Sequence, residues 1–402
     1  MKKISYILSL IAVFILVSCV DYSDATQGVE AKIQLQLPTE MAASGALEGH
    51  TVTLKKEGSS FSAQTDALGI ATFSGLIPDV YNVAVTWDLS AVDYQSITGS
   101  SEATSGATVS GSLNGQLIDG KTPLTLTTSL AIKRDIVIGK IYVAGSKDIH
   151  NKAYRAGQYI ELYNQSADSV DVSGLYIGLL ETDNPQAYTL ENLQTDYADS
   201  VVLVKQVFRI PADKPHKVAP GGSVVLTNSA IDHTVNAPME QNLLHADYEA
   251  KDKAGGRTQN NPDVPALETV FNIFPGIANM NLTNTFQGVI IFRTTADVAQ
   301  FARTYKYGKT AGTQYLLIPK RYIIDGVDYL RRKATGVDAG EKRLPSTIDA
   351  GYTNITATAG LSGEIVYRKT SSTTASGNRI LMDTNNSSND FQVSTTIKVR
   401  EW

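Results

Sequence analysis

The fold is decided by the stretch Ile136-Val-Ile-Gly-Lys-Ile-Tyr-Val-Ala144, which is followed after a polar loop by Tyr159-Ile-Glu-Leu-Tyr-Asn164 and after a turn by Val170-Asp-Val-Ser-Gly-Leu-Tyr-Ile-Gly-Leu179. Val, Ile and Tyr favour strands, whereas Gly, Asn, Ser and Asp favour the turns between strands. Glu161 alternates with Ile160 and Leu162, so its side chain is expected to face outward or toward a neighbouring loop. The stretch therefore predicts short strands of an all-β domain.

Further motifs of this kind follow in order along the chain. Ala219-Pro-Gly-Gly222 leads into a strand, Ile323-Ile-Asp-Gly-Val-Asp-Tyr329 is itself typical of a strand, and Asp383 to Asp390 is a polar turn. The pattern resembles the lamin-tail domain, an immunoglobulin-like β-sandwich. The resemblance implies a lamin-tail-like domain over residues 134–402, with a long polar insertion around 229–285 that we expect to decorate one end.

The preceding region predicts a second β-sandwich. Val29 to Leu37 alternate apolar and polar residues with a period of two, and Pro38 ends that strand. Thr65-Asp-Ala-Leu-Gly69, Gly75-Leu-Ile-Pro78 and Tyr81-Asn-Val-Ala-Val85 then resemble the carboxypeptidase-regulatory or transthyretin-like sandwich, which is usually a spacer or binding module. We assign residues 29–133 to it. The predicted fold class is thus all-β, with two immunoglobulin-like β-sandwich domains.

The N-terminus is typical of an export signal. Lys2 and Lys3 precede the apolar run from Ile4 to Val17, which is too short to span a bilayer as a mature helix. Leu16-Val-Ser-Cys19 resembles the lipobox of bacterial lipoproteins, which implies a signal peptide over 1–18, a lipid on Cys19 and a tether over 19–28. The alternative is an ordinary signal peptide followed by a buried cysteine. Because Cys19 is the only cysteine, lipidation would leave no thiol for disulfide or metal chemistry.

The compartment follows from the same segment. Two aspartates shortly after Cys19 resemble the surface-export signal of Bacteroidetes lipoproteins. This favours an outer-membrane, lipid-anchored protein, displayed on the cell surface rather than on the periplasmic face.

Charge is unevenly distributed along the sequence. The formal net charge of −5 argues against attraction of the whole protein to nucleic acid. Residues 301–345 instead hold ten Lys or Arg against four acids, a local charge of +6, with tyrosines interleaved. This segment is a candidate surface for a glycan, an anionic ligand or a partner protein, and the alternative is a solvated basic face. Its candidate residues are Arg303, Tyr305, Lys306, Tyr307, Lys320, Arg321, Tyr322, Arg331 and Arg332.

Signatures of catalysis and metal binding are weak. No Gly-x-Ser-x-Gly or His-Glu-x-x-His motif occurs, so no catalytic residue and no cofactor are predicted. His233 and His245 flank the insertion and would form a metal site or a base if they met, but exposed loop histidines are the alternative. Asp383, Asn385 and Asp390 offer oxygen ligands for calcium. Their spacing lacks the EF-hand glycine and glutamate, so an Asn/Ser turn is the competing interpretation.

Two short motifs point to modification. Asp168-Ser169-Val170 and Asp199-Ser200-Val201 resemble the Asp-Ser/Thr-hydrophobic sequon for O-glycosylation in Bacteroidetes. Ser169 and Ser200 are therefore candidate glycosylation sites.

These features together favour one function over two others. The chain resembles uncharacterised Bacteroidetes lipoproteins found among TonB-dependent uptake systems. We expect a non-catalytic accessory that is attached to the membrane through Cys19 and contacts a TonB-dependent transporter. The alternatives are a structural or adhesive surface protein, or an extracytoplasmic hydrolase, since lamin-tail domains accompany bacterial nucleases and phosphatases.

Overall fold

The computed structural model describes residues 28–56, 58–98, 106–132, 134–182, 190–197, 200–251, 259–274, 276–284 and 286–402. The predicted signal peptide and Cys19 lie outside the described residues. The prediction of an all-β fold is confirmed, since strands greatly outnumber helices. The described residues form two compact units, the first containing residues 28–88 with Val109–Leu130, and the second containing Leu89–Ser96 and Ala131–Trp402.

The first unit is built on eight described strands. They are β1 (Val29–Gln36), β2 (Thr51–Lys56), β3 (Ser59–Gln64), β4 (Ile70–Leu76), β5 (Asp79–Leu89), β6 (Ala107–Ile118), β7 (Leu124–Thr127) and β8 (Ser129–Ile132). One sheet has the order β4-β1-β7 and the other the order β3-β2-β5-β6-β8. Helix α1 (Ala91–Thr98) lies between β5 and β6 in the chain.

The alternation in β1 explains the core of this unit. Ala31, Ile33 and Leu35 are buried, whereas the intervening side chains are exposed or half-buried. They share one apolar cluster with buried residues of the opposite sheet, such as Val83, so the two sheets form a sandwich. The predicted turn after β3 is also present. In it Gly69 adopts a φ of +78°, which glycine tolerates best.

The second unit contains the remaining strands. They are β9 (Ile136–Tyr142), β10 (Ser146–Lys147), β11 (Ala153–Tyr154), β12 (Tyr159–Asn164), β13 (Val170–Asp171), β14 (Tyr176–Leu180), β15 (Val201–Arg209), β16 (Lys217–Val218), β17 (Ser223–Thr227), β18 (Tyr248–Glu249), β19 (Glu268–Asn272), β20 (Gln287–Phe292), β21 (Arg303–Tyr305), β22 (Gln314–Pro319), β23 (Ile323–Leu330), β24 (Arg332–Lys333), β25 (Gly336–Val337), β26 (Thr353–Asn354), β27 (Ile365–Arg368), β28 (Thr370–Thr373), β29 (Arg379–Leu381) and β30 (Phe391–Ser394). Helices α2 (Leu190–Tyr197) and α3 (Ser387–Asp390) are short.

Two large sheets organise this unit. The first has the order β18-β17-β12-β9-β27-β30, and the second the order β21-β22-β15-β14-β20-β23-β26, with β19 also paired to β15. Their facing side chains, such as Ile160 from the first sheet and Ile291 from the second, share the largest apolar cluster of the chain. The strands predicted from 136 to 180 therefore form the centre of a sandwich.

A further apolar cluster lies on the outer face of the second sheet, where Val204 of β15 and the loop residues Leu344 and Ile348 also take part. Leu316 and Ile318 of β22 share an apolar cluster with Ile290 and Phe292 of β20, although two strands separate β22 from β20 in the sheet. This cluster on one face and the main core on the other cover both faces of β14 and β20, which is why every residue of these strands is buried.

The segment predicted as an insertion contributes to the sandwich itself. β18 pairs with β17 of the first sheet and β19 pairs with β15 of the second. Buried Leu243 and Met280 join the main core. The expectation that this segment decorates one end is therefore wrong for its described residues. Its strands β18 and β19 extend the two sheets, and its apolar side chains pack in the core.

Helices of the described residues are all too short or too polar to cross a membrane.

Candidate functional site

The structure separates the basic segment 301–345 into two parts. Downstream of β23, Arg331 lies 4.0 Å from Glu341, and Lys333 lies 2.9 Å from Asp338 and 3.0 Å from Glu341. Acids of the same segment therefore neutralise much of this charge. Arg332 is exposed on β24, apart from these pairs.

The other part of the segment forms a layered surface. The guanidinium of Arg321 lies 4.6 Å from the ring centre of Tyr322 and donates a 3.1 Å hydrogen bond to its hydroxyl. The ring of Tyr322 stacks with that of Phe301 at 5.9 Å, and Arg303 lies 5.2 Å from the ring centre of Phe271. We call these five residues the arginine–aromatic surface.

Local structure explains how these side chains are positioned. The side chain of Asp297 accepts a hydrogen bond from the backbone N–H of Ala299, which begins the short 3-10 helix that delivers Phe301. Another 3-10 turn follows Pro319 and ends at Tyr322. Because Phe271, Phe301 and Tyr322 all pack at the rim of the same apolar cluster, their rings are held in place from below.

The cations of this surface remain exposed. Neither Arg303 nor Arg321 has a carboxylate at ion-pair distance among the described residues, and each donates to a neutral oxygen instead. The hydrogen bond from Arg321, followed by one from Thr294, lowers the pKa of the Tyr322 hydroxyl. Exposed guanidinium groups beside aromatic rings suit anionic and ring-shaped ligands.

The remaining predicted members of this surface lie close by in the chain. Tyr305 is half-buried on edge strand β21. Tyr307 packs against a small apolar cluster that includes Leu193. Lys306 and Lys320 both have interactions within the protein. These four residues therefore flank the arginine–aromatic surface.

The residues considered for calcium surround an arginine. The buried guanidinium of Arg368 lies 2.9 Å from Asp325, 3.3 Å from Asp383 and 3.3 Å from Asp390. Asn385 adopts a left-handed conformation with a φ of +53°, as expected for a tight polar turn. No three His, Cys, Asp or Glu side chains in the described ranges lie close enough to share a metal ion. The turn interpretation thus accounts for these residues, because the arginine supplies the positive charge.

Burial perturbs the carboxyl groups of this cluster. Burial, opposed by Arg368 and reinforced by Asp383, raises the pKa of Asp390 to about 7. Burial likewise raises the pKa of Asp325, again against the effect of Arg368. The cluster holds three acids and one arginine, so a buried proton relieves the repulsion among the acids.

A second buried cluster could not be recognised in the sequence. The carboxyl of Glu240 accepts hydrogen bonds from the hydroxyls of Tyr142 at 2.7 Å and Ser146 at 2.6 Å. Its second oxygen and the hydroxyl of nearby Tyr159 have no hydrogen-bond partner in the described protein. Burial raises the pKa of Glu240. Tyr142 and Ser146 lie almost 100 positions before Glu240 in the chain, so no local sequence pattern predicts that these residues form a cluster.

The histidine pair does not form a shared site. The ring of His233 is buried, with one nitrogen 2.7 Å from the Tyr154 hydroxyl and the other 2.7 Å from the Ser229 carbonyl. Burial lowers its pKa. His245 is exposed, and its backbone carbonyl accepts a hydrogen bond from Arg400. His233 is therefore a buried histidine whose two ring nitrogens both have hydrogen-bond partners within the protein.

The two candidate glycosylation serines are accessible. Ser169 is exposed in the turn before β13. Ser200 is exposed before β15, and its hydroxyl donates to the carbonyl of Tyr197. Asp199 lies outside the described residues, and modification of either serine stays a prediction.

Comparisons with known proteins find a match between part of the chain and an uncharacterised family. Residues 219–397 match the model of a family described as a protein of unknown function, DUF4876. The chain is similar to the crystal structure of a DUF4876 family protein from Bacteroides thetaiotaomicron VPI-5482, with 21% identity, a TM-score of 0.54, and coverage of 90% of this chain and 94% of that one. At this identity the likeness shows the fold alone.

Two other comparisons add nothing to the function. Fervidolysin from Fervidobacterium pennivorans, a keratinolytic enzyme related to subtilisin, has 15% identity and a TM-score of 0.19, with 50% of this chain and 30% of that chain covered. That similarity is too weak to support an inference. No curated protein matches the sequence. The expectation of an uncharacterised family is consistent with these matches, whereas the lamin-tail and transthyretin-like resemblances stay predictions.

Proposed function

We propose that this chain is a non-catalytic lipoprotein of the outer membrane that binds an anionic glycan as an accessory of a TonB-dependent uptake system. The observation that carries the proposal is the arginine–aromatic surface, where two exposed guanidinium groups lie over aromatic rings and no acid of the described residues lies at ion-pair distance. A sugar ring packs on aromatic faces, and its carboxylate or sulfate pairs with arginine.

The attachment to the membrane rests on the sequence. The lipobox-like segment ending at Cys19 supports a lipid anchor, and the two aspartates after it support surface display. The resemblance to lipoproteins of TonB-dependent systems supports a transporter as partner. A binding role also agrees with the ionisable clusters at Arg368 and Glu240, which are buried and bonded to protein groups rather than open to a substrate.

Glycan binding is tested with the purified protein and two polymers that differ in charge, polygalacturonate and dextran. Polygalacturonate should bind and dextran should bind at least tenfold more weakly. The double variant Arg303→Ala with Arg321→Ala should lose at least tenfold in affinity, which corresponds to about 1.4 kcal/mol. Arg332→Ala is the matched control, since it removes an exposed arginine outside the surface. Equal losses in the two variants, or no binding of either polymer, would refute the assignment of this surface.

Membrane attachment is tested separately. The lipidated protein and a Cys19→Ala variant are each purified by affinity from detergent-solubilised envelope. Recovery of a TonB-dependent transporter with the lipidated protein supports the accessory role. Recovery of the protein alone, with transporters intact in the extract, counts against it. Hydrolysis of phosphoester substrates by the purified protein would instead favour the hydrolase alternative.

A further inference from the structure

Residues 397–402 lie across the first sheet of the second unit, and we call them the strap. They follow β30 without joining any sheet. None of their side chains is buried, although Ile397 and Val399 pack partly against the main core. The strap is therefore held mainly by groups beneath it rather than by a hydrogen-bonded ladder.

The floor beneath the strap is a buried ion pair. Lys140 of β9 and Glu161 of β12 lie 3.0 Å apart, and both side chains are fully shielded from solvent. Glu161 also accepts a 2.6 Å hydrogen bond from the Ser223 hydroxyl. The expectation that Glu161 faces a neighbouring segment is met here, but the residue is buried because the strap covers it. Burial lowers the pKa of Lys140, against the effect of Glu161.

The pair recognises the backbone of the strap. The carboxylate of Glu161 accepts hydrogen bonds from the backbone N–H of Arg400 at 2.9 and 3.2 Å. The ammonium of Lys140 donates to the carbonyl of Lys398 at 3.0 Å. The anion thus binds a backbone donor of the strap, and the cation binds a backbone acceptor of the strap.

Trp402 supplies the main side-chain contact of the strap. Its ring lies 4.0 Å from the ammonium of Lys140 and 4.5 Å from the ring of Tyr163. A Cβ added to Gly139 would lie 2.2 Å from the Trp402 ring, so only glycine leaves space for it. Gly139 therefore forms the base of a slot for an aromatic side chain.

Arg400 fixes the strap at its centre. Its φ of +62° is unusual for a residue with a side chain. Its guanidinium donates to the carbonyls of Ser223 and His245 and pairs with Asp247 at 2.6 Å. These contacts compensate for the backbone conformation, so the strap is a specifically recognised peptide rather than a loosely packed end.

We propose that this groove is an exchangeable peptide-docking site, and that the strap of a second copy of this chain is the partner that fits it. The strap is the one peptide whose chemistry is shown to satisfy the groove. Exchange of an identical segment between copies preserves each contact. The connection from β30 is suited to such exchange, because the strand pairing ends at Ser394, and the Ser394 hydroxyl bonds to the next residues, Thr396 and Ile397.

The test mixes two full-length variants that carry different tags. The first combines Arg400→Ala with Trp402→Ala, which weakens its own strap and leaves its groove intact. The second carries Gly139→Ala, which fills the tryptophan slot and leaves its strap intact. Each variant alone should sediment as a monomer, and their mixture should yield a mixed dimer that co-purifies through either tag. Absence of the mixed dimer overturns the second copy as the partner.

A labelled peptide with the sequence of residues 396–402 tests the groove itself. It should bind the strap-weakened variant at least tenfold more tightly than the unaltered protein, where the tethered strap competes at an effective concentration on the order of millimolar. Adding Gly139→Ala to that variant should abolish the gain. If the double variant does not fold, Trp402→Ala alone replaces it. Equal peptide binding by the folded variant and the unaltered protein overturns the docking site.

Discussion

Replacing Asp390 with Asn should flatten the dependence of stability on pH. The substitution is nearly isosteric and leaves a neutral group at this buried position. Asp390 accepts hydrogen bonds from the backbone N–H of Thr384 and from its hydroxyl, at opposite carboxyl oxygens. An asparagine can keep its oxygen toward the backbone donor and turn its amide toward the hydroxyl, which also accepts. The variant should therefore fold.

The expected size of the effect follows from the pKa. Asp390 titrates at about 7 in the folded protein and near 3.8 ordinarily. Between those values the folded protein binds more protons than the unfolded one, so the free energy of unfolding falls as pH rises. Each pKa unit corresponds to about 1.36 kcal/mol, so Asp390 accounts for a loss of at most about 4 kcal/mol between pH 4 and 7. Asp349, whose pKa burial raises to about 6, adds a loss of the same sign in both proteins.

The assay is urea-induced unfolding of the second unit at pH 4.5, 6 and 7.5. Far-ultraviolet circular dichroism follows the loss of the strands, so the readout does not depend on the docking of Trp402. The decline in unfolding free energy with pH should be smaller in Asp390→Asn by about 2–4 kcal/mol. Asp338→Asn, at an exposed carboxylate paired with Lys333, is the control and should leave the decline unchanged within about 1 kcal/mol. Parallel declines in the unaltered protein and Asp390→Asn would refute the reasoning.

Three further substitutions have expected costs, each measured by urea unfolding. Arg368→Met should destabilise the second unit by about 3–5 kcal/mol, because it leaves buried carboxylates without their cation, and a cost below about 1 kcal/mol would contradict this. Tyr142→Phe should cost about 1–3 kcal/mol, since Glu240 loses a buried donor, and an unchanged midpoint would show that the bond contributes nothing. Asp66→Ala should cost the first unit about 1 kcal/mol, because the carboxylate accepts two turn N–H groups, and a neutral result would argue against that turn.

Strands were predictable where burial follows a local rule. The alternation from Val29 to Leu37 predicted β1 and its buried apolar face, because one side of that strand faces the core and the other faces solvent. Ile323 to Tyr329 was predictable as a strand for its β-branched residues. In both cases the information lies within a few neighbouring positions, so the sequence pattern is sufficient.

The polar clusters were not predictable because their members are distant in the chain. Asp325 was visible within its strand motif, but its partner Arg368 lies 43 positions later. Glu161 was expected to face outward or toward a neighbouring loop, but the covering segment, the strap, lies more than 200 positions later and could not be identified from the sequence. The basic segment was found by composition, yet only the structure separates Arg303 and Arg321 from the acid-paired Arg331. The composition of a segment gives its net charge, whereas the fold determines which of its basic side chains form ion pairs with acids.

The strap also sets the order in which the second unit becomes complete. Glu161 and Arg400 are 239 residues apart, and Arg368 donates to the carbonyl of Ile138 across 230 residues. While the later residues are still being synthesised, Lys140 of β9 and Glu161 of β12 lack the backbone groups of the strap that cover them. Pairing across such sequence distances is slow, and unpaired strands aggregate. The second unit therefore gains these contacts only once the residues around Arg368 and Arg400 are available to its early strands.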